Sequence, residues 1–308
     1  MLKPTRFEGN PIITPRQGHD WEVGGTFNPG AVADGGVVHL LYRAVDSDRI
    51  SRLAYARTPN GTEIDFRSSD PVLVPSGEWE EFGCEDPRMT DFGGTFYITY
   101  TAYSRRGPRI ALASTKDFQT FEKYGLVGPN RNDKDCVIFP ERINGRIAIL
   151  HRLMSRVQIA YFEDFHSLVE SEEYWKDYVG HVDDYEIIRS TFPWEKKKVG
   201  AGPPPIKTNL GWLVIYHGVS IESIYRAGAI LLDLDNPSKV LARTKEPILE
   251  PKMEFEKYGF VPNVVFPDGA VVLDGVLMVY YGGADKVCCV ARVPLDEFLD
   301  KLIQSSGG

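Results

Sequence analysis

The sequence predicts an all-β chain, a five-bladed β-propeller with one short C-terminal helix, and three observations predict it. Five aromatic-rich apolar runs recur along the 308 residues, a proline stands ahead of each, and a second strand-like segment follows each. The runs are residues 37–44, 95–102, 146–153, 211–218 and 275–282. Each is too short for a typical helix, and most are rich in β-branched or aromatic side chains, which suit a pleated surface. The prolines are Pro29, Pro87, Pro140, Pro203 and Pro267, spaced 58, 53, 63 and 64 residues apart. A period near 60 leaves room for a four-stranded blade in each unit, and radial repetition leaves only short, protected edges.

The remaining elements follow in order. The second segments are residues 52–57, 109–114, 157–161, 227–232 and 287–290. Several close in polar turns, such as Thr58-Pro59-Asn60-Gly61 and Ser114-Thr115-Lys116-Asp117. Asn60-Gly61-Thr62 matches a glycosylation acceptor but reads as part of such a turn. Residues 181–191 read equally as a short helix or a loop. At the C-terminus, Pro294 occupies a first-turn position, and Leu295, Phe298, Leu299, Leu302 and Ile303 form one apolar helical face. A β-sandwich with chance periodicity ranks lower, because the strand ends align. Fourteen residues on from Pro29, Pro87, Pro203 and Pro267 stand Arg43, Thr101, His217 and Tyr281; in the third unit, twelve residues lead to Arg152. One domain over residues 1–308 is expected.

Composition bounds the function. Lys and Arg number 35 against 43 Asp and Glu, a net charge of −8, which argues against nucleic acid or an anionic membrane as partner. Fifteen Tyr, 16 Phe and 5 Trp are ample for a core and argue against disorder. The first residues lack a basic start followed by an apolar run, and no stretch approaches ~18 apolar residues. A cytoplasmic protein is therefore expected. Cys84, Cys136, Cys288 and Cys289 show no CxxC spacing and read as reduced core thiols. There is no GxGxxG, GxxxxGK[ST] or GxSxG pattern, and residues 130–135 lack the Gly and terminal Glu of a calcium loop. No metal and no cofactor are expected.

In a propeller, equivalent positions of all blades meet at one axis. The motifs Asn28-Pro29-Gly30, Glu85-Asp86-Pro87-Arg88, Phe139-Pro140-Glu141-Arg142, Gly202-Pro203-Pro204 and Phe266-Pro267-Asp268 then bring Asn28, Asp86 and Glu141 together. The strand-end set Arg43, Arg152, His217 and Tyr281 joins them, with Asp285 close behind. Carboxylates protonate or bind hydroxyls, aromatics stack on sugar rings, and cations hold phosphate. Inverting glycosyl transfer needs one acid and a nucleophile on the opposite face. Asp86 is the candidate acid; Lys134, Arg152, Lys207 and His217 are candidate phosphate holders. Glu141 and Asp285 leave a water-activating base open. Blander readings stand beside these. Asp86 before proline also suits a turn, Arg88 also suits a structural pair with Glu85 or Asp86, and His217 in an apolar strand also suits the core. Lys134 also suits plain loop charge. The run Glu195-Lys196-Lys197-Lys198 reads as a solvated loop.

With these motifs in this order, the chain resembles glycoside hydrolase family 130, the mannoside phosphorylases and related mannosidases. The resemblance spans nearly the whole chain. It is carried by Phe27-Asn28-Pro29, Leu41-Tyr42-Arg43-Ala44, Glu85-Asp86-Pro87-Arg88, Phe139-Pro140-Glu141, His151-Arg152, Gly200-Ala201-Gly202-Pro203-Pro204, Tyr216-His217-Gly218-Val219 and Tyr280-Tyr281-Gly282-Gly283-Ala284-Asp285. It implies a five-bladed propeller with Asp86 as the catalytic acid, its proton reaching the glycosidic oxygen through the 3-hydroxyl of the mannose. Phosphate would then attack with inversion to give α-mannose 1-phosphate. It implies that Asn28, Arg43 and Asp285 hold the mannose; Glu85, Arg88, Glu141 and Tyr281 are expected as further substrate contacts from their place in the motifs and strand ends. It also implies that Arg152, Lys207, His217 and Lys134 hold phosphate. Manno-oligosaccharide and inorganic phosphate are the expected partners, with a homo-oligomer possible in principle. The expected linkage is β-1,4 over β-1,2. Two alternatives stay open: a β-mannosidase using water, and a non-catalytic carbohydrate-binding propeller.

Overall fold

A computed structural model describes residues 2–306. The described residues are mostly β-strand, with four short α-helices. Strands β2 (Gly25–Asp34), β3 (Val37–Val45), β4 (Ser51–Thr58) and β5 (Phe66–Arg67) form the first unit. Strands β6 (Gly83–Asp91), β7 (Phe96–Ser104), β8 (Gly107–Thr115) and β9 (Glu122–Leu126) form the second. One parallel pair, Ser51 with Gly83, joins these two into an eight-stranded sheet. The third unit is β10 (Lys134–Ile138), β11 (Ile147–Leu153), β12 (Arg156–Phe162) and β13 (Glu186–Ile188). The fourth is β14 (Lys198–Ala201), β15 (Ile206–Lys207), β16 (Trp212–Val219), β17 (Tyr225–Leu232) and β18 (Val240–Arg243). The fifth is β19 (Val265–Leu273), β20 (Val276–Gly283) and β21 (Val287–Pro294), completed by the N-terminal β1 (Thr5–Arg6) against β21. Every predicted apolar run is a strand within one or two residues of its expected ends.

The apolar cores lie between units. Leu41 and Leu53 pack with Met89 and Ile98 between units one and two. Ile110 and Leu112 pack with Ile147 and Ile149 between two and three. Leu150 and Ile159 meet Val214 and Ile230 between three and four. Ile215 and Leu231 meet Val279 and Ala291 between four and five. Leu40 and Tyr42 meet Met278 and Tyr280 between one and five. Alternation along each strand explains this: odd and even positions of one run serve different neighbours.

Helix α4 (Leu295–Ser306) forms where the sequence placed it, burying Phe298, Leu299 and Leu302 against units four and five, whereas Ile303, expected on the same face, is exposed. Each contributes on the order of 1.5–3 kcal/mol by leaving water. Helices α1 (Phe165–Val169) and α2 (Glu172–Gly180) were not legible in the pattern, because both are short. The Asp164 carboxylate accepts the Ser167 N–H at 2.7 Å and starts α1; Trp175 and Tyr178 then bury α2 against unit three. Helix α3 (Glu254–Lys257) is a single turn. Residues 181–191 resolve into a short helical turn at Val182–Tyr185 and strand β13.

The first strands of the units carry the site. In β2, β6 and β10 the ladder slips at the same place: between Phe27 and Gly30, Glu85 and Arg88, and Lys134 and Val137. At each slip one residue takes a left-handed backbone: Asn28 at φ 49°, Asp86 at 50° and Asp135 at 56°. Asn and Asp are the side-chain-bearing residues that best tolerate this conformation, and such bulges re-aim a side chain. This corrects the alignment of the third unit. Pro29 and Pro87 lie inside their strands, but Pro140 follows β10, and Cys136 stands where the other two units have proline. The equivalent of Asp86 is Asp135, not Glu141.

Candidate active site

The three bulged side chains open on a cavity of about 150 Å³, lined by Asn28, Arg43, Asp86, Lys134, Asp135, Arg152, Lys198, His217, Tyr225, Val261, Val264, Phe266 and Asp285. Seven of the twelve side chains expected from the sequence therefore converge. A larger cavity of about 630 Å³, between residues 128–131 and α2, collects none of them.

Asp86 is the most tightly held group. Its Oδ1 accepts Asn28 Nδ2 at 2.8 Å and Arg43 Nη1 at 3.1 Å, and Lys134 Nζ stands 3.9 Å from Oδ2. Burial alone would raise its pKa, but Arg43, Lys134, Arg88 and the Asn28 amide outweigh burial and hold it at about 2. Asp86 is thus held as a carboxylate. Asp285 is the opposite case: burial, with Asp86 and Glu85 adding repulsion, lifts it to about 6 against the pull of Arg43 and Lys134.

The other side of the cavity is cationic. Arg152 Nε lies 2.7 Å from Asp135 Oδ2, and the Arg152 backbone N–H donates to Asp133 at 3.1 Å. Lys198 Nζ sits 5.1 Å from the Tyr225 ring centre. Burial and the nearby Arg152 lower the Lys198 pKa to about 8. The His217 ring lies 4.5 Å from that of Phe266, with Nε2 3.6 Å from Asp135 Oδ2. Burial, helped by Arg152 and Lys198, lowers His217 to about 3 despite Asp135, so it is neutral at neutral pH. Neither of its ring nitrogens has a hydrogen-bond partner. Two glycines make the room: a Cβ on Gly200 would lie 2.2 Å from Asp135 Oδ2, and one on Gly282 would lie 2.0 Å from Asn28 Oδ1.

Five expected residues stand elsewhere. Glu85 lies behind the cavity, where Oε1 accepts Arg43 Nη2 at 2.7 Å and Oε2 accepts Lys134 Nζ at 3.3 Å; it aims the cations. Arg88 is 1% exposed and serves as a hub. It donates to the Asp86 carbonyl at 2.8 Å and the Gly202 carbonyl at 3.0 Å, and pairs with Asp135 at 3.2 Å and Asp268 at 2.8 Å. An arginine this buried needs such partners. Tyr281 faces the core between units four and five and donates to Glu256 at 2.8 Å; the count of fourteen falls on the wrong strand face. Glu141 and Lys207 pair with each other at 2.6 Å, both half-exposed and neither lining the cavity.

Conversely, Asp135, Lys198, Tyr225 and Phe266 line the cavity without having been singled out. Aligning bulges instead of prolines would have found Asp135. Lys198 was hidden in its lysine run, although Lys196 and Lys197 are exposed and Lys198 is not. Among the described residues, no group of three or more His, Cys, Asp or Glu side chains is placed to hold a metal ion. All four cysteines are buried and free. No described helix is long and apolar enough to cross a membrane.

Residues 3–304 match the family model described as β-1,4-mannooligosaccharide phosphorylase, glycoside hydrolase family 130. The chain belongs to this family. It is 41% identical over 307 residues to a 1,2-β-oligomannan phosphorylase of Thermoanaerobacter sp., covering 96% of this chain and 99% of that one. It is 31% identical to a β-1,4-mannooligosaccharide phosphorylase of Ruminococcus albus, covering 96% and 89%. Among solved structures, β-1,2-mannobiose phosphorylase from Listeria innocua, in complex with β-1,2-mannobiose, superposes with a TM-score of 0.83 at 31% identity, covering 97% and 98%. Family 130 membership and these relatives place the chain among the glycoside phosphorylases.

Proposed function

We propose that this chain is an inverting phosphorylase of β-linked mannosides, a single-domain five-bladed β-propeller that releases α-mannose 1-phosphate. One observation carries the reading: an acid candidate, Asp86, shares a small cavity with four cations, Arg43, Lys134, Arg152 and Lys198, and with the neutral His217. A hydrolase needs a base to activate water, whereas phosphate arrives as an anion and needs cations. Of the two base candidates, Glu141 is half-exposed, paired with Lys207 and outside the cavity; Asp285 lines the cavity within the field of Arg43, and we assign it to the mannose.

Asn28, Arg43 and Asp285 would grip the terminal mannose. The cavity, at about 150 Å³, is smaller than the ~300–1,000 Å³ of typical ligand clefts, so only the end of an oligosaccharide enters it. Lys134, Arg152, Lys198 and His217 would hold phosphate on the opposite face. As the C1–O bond to the leaving sugar breaks, the C1–O bond to phosphate forms. The Asp86 proton passes through the 3-hydroxyl to the leaving oxygen, and solvent later restores it. Asp86 must first gain that proton. Phosphate entering among Lys134 and Arg152 offsets the charges that hold it ionised, which raises its pKa.

The linkage we propose is β-1,2, reversing the β-1,4 expectation from sequence. The relative at 41% identity is named for β-1,2-oligomannan, against 31% for the β-1,4 enzyme. Phosphorolysis of β-1,2- and β-1,4-mannobiose, assayed in parallel, tests this: release from the β-1,4 dimer alone refutes it. A cytoplasmic location belongs to the same proposal, since a charged sugar phosphate does not leak through a membrane.

A further inference from the structure

A carboxylate at the heart of an anion site calls for an explanation. Asp135 stands among the cations assigned above to phosphate, 2% exposed and lining the cavity. Its two oxygens differ. Oδ1 faces inward and pairs with Arg88 at 3.2 Å. Oδ2 faces the cation cluster, 2.7 Å from Arg152 Nε and 3.6 Å from His217 Nε2, yet makes no hydrogen bond. Lys134 and Lys198 complete the charged surroundings, on β10 and β14. The bulge that aims this side chain repeats the one that aims Asp86, and Gly200 keeps the space beside Oδ2 open.

We propose that Asp135 selects the singly protonated form of a tetrahedral oxyanion by accepting its P–OH hydrogen on Oδ2. An ionised carboxylate only accepts. Hydrogen phosphate and hydrogen arsenate each carry one O–H donor at neutral pH; sulfate carries none. A sulfate oxygen at the same place sets lone pair against lone pair in a buried site, where an unmatched polar contact is costly. The surrounding cations attract both anions, so they cannot tell them apart, and the discrimination falls to Asp135. Burial raises its pKa, but Arg152, Arg88 and Lys134 hold it well below the usual carboxylate range, so it accepts throughout the neutral range. Accepting the P–OH also leaves the unprotonated oxygens of phosphate free, and one of these must attack the anomeric carbon. This inference rests on the phosphorylase reading and names a specificity-determining residue within it.

The test compares the KM for inorganic phosphate with the inhibition constant of sulfate, in the wild-type enzyme and in Asp135→Asn. An amide can turn either its oxygen to hydrogen phosphate or its nitrogen to sulfate. The wild type is expected to bind sulfate at least about 100-fold more weakly than phosphate, in keeping with sites that reject analogues lacking a required hydrogen bond. In Asp135→Asn that ratio falls to about tenfold or less, and arsenate supports turnover in the wild type. The wild-type ratio stands as a test even if the variant does not fold. Sulfate competing within about tenfold of phosphate in the wild type, or an unchanged ratio in a folded Asp135→Asn, overturns the inference alone. Sugar release independent of phosphate overturns the phosphorylase reading and this inference with it.

Discussion

Lys198 offers the most direct handle on the proposed phosphate side of the cavity. Burial and Arg152 lower its pKa to about 8, from an ordinary value of 10.5. That displacement corresponds to about 3 kcal/mol of discomfort for the charged form. A phosphate dianion in contact relieves it, so phosphate binds the protonated lysine more tightly. The sign follows: below pH 8 Lys198 is charged and the KM, expressed as the concentration of the phosphate dianion, is flat; above pH 8 it rises, approaching tenfold per pH unit. Lys198→Met removes one charge-assisted hydrogen bond, worth roughly 1.5–3 kcal/mol, and lowers kcat/KM for phosphate by roughly 10- to 150-fold while leaving the sugar KM within about threefold. Lys198→Arg keeps its charge at all accessible pH, so the rise above pH 8 disappears. The assay is initial-rate release of mannose 1-phosphate at varied phosphate from pH 6 to 9.5. An unchanged phosphate KM in Lys198→Met, or a wild-type profile flat through pH 9, refutes the reasoning.

Three further outcomes are expected. Asp86→Asn should lower kcat by at least about 10³-fold, with its circular dichroism spectrum intact; a variant with wild-type turnover removes Asp86 from the mechanism. Asp285→Asn should raise the melting temperature above pH 6 and leave it unchanged at pH 4. The folded pKa of about 6 lies above the ordinary 3.8, so folding favours the protonated form and stability falls as pH rises between those values. Because Asp285 is partly open to the cavity, the gain is on the order of 1–2 kcal/mol, and an equal or larger gain at pH 4 contradicts it. Glu141→Gln and Lys207→Met, which break an exposed pair outside the cavity, should each change kcat/KM less than about threefold; a loss above about tenfold would show that they reach the substrate.

Much of the fold was legible because the period is written in residue types. Apolar, β-branched and aromatic runs end near aligned positions, and each became a strand that packs both faces between neighbouring units. The site was legible where a bulge happens to carry proline. Asn28-Pro29 and Asp86-Pro87 announce themselves, whereas Asp135-Cys136 makes the same bulge without the marker, and Pro140 drew attention to Glu141 instead. Strand face was the second blind spot. Tyr281 and Tyr280 are adjacent and both buried, and only the register shows that Tyr281 faces the core shared with unit four while Tyr280 faces that shared with unit one. Charge was the third. Nothing in Lys196-Lys197-Lys198 distinguishes the last lysine until β14 begins at it and turns it toward Tyr225. Arg88 fits both readings offered by the sequence only in part: it is buried among carboxylates, yet those carboxylates are Asp135 and Asp268, together with the Asp86 carbonyl.

The central claim is that the cations beside Asp86 hold the nucleophile. Incubating the enzyme with β-1,2-mannobiose, with and without inorganic phosphate, and quantifying mannose 1-phosphate and free mannose tests it most directly. The account predicts equimolar mannose 1-phosphate and mannose with phosphate, and no cleavage without it. Release of two mannose molecules per dimer at the same rate in both conditions contradicts it.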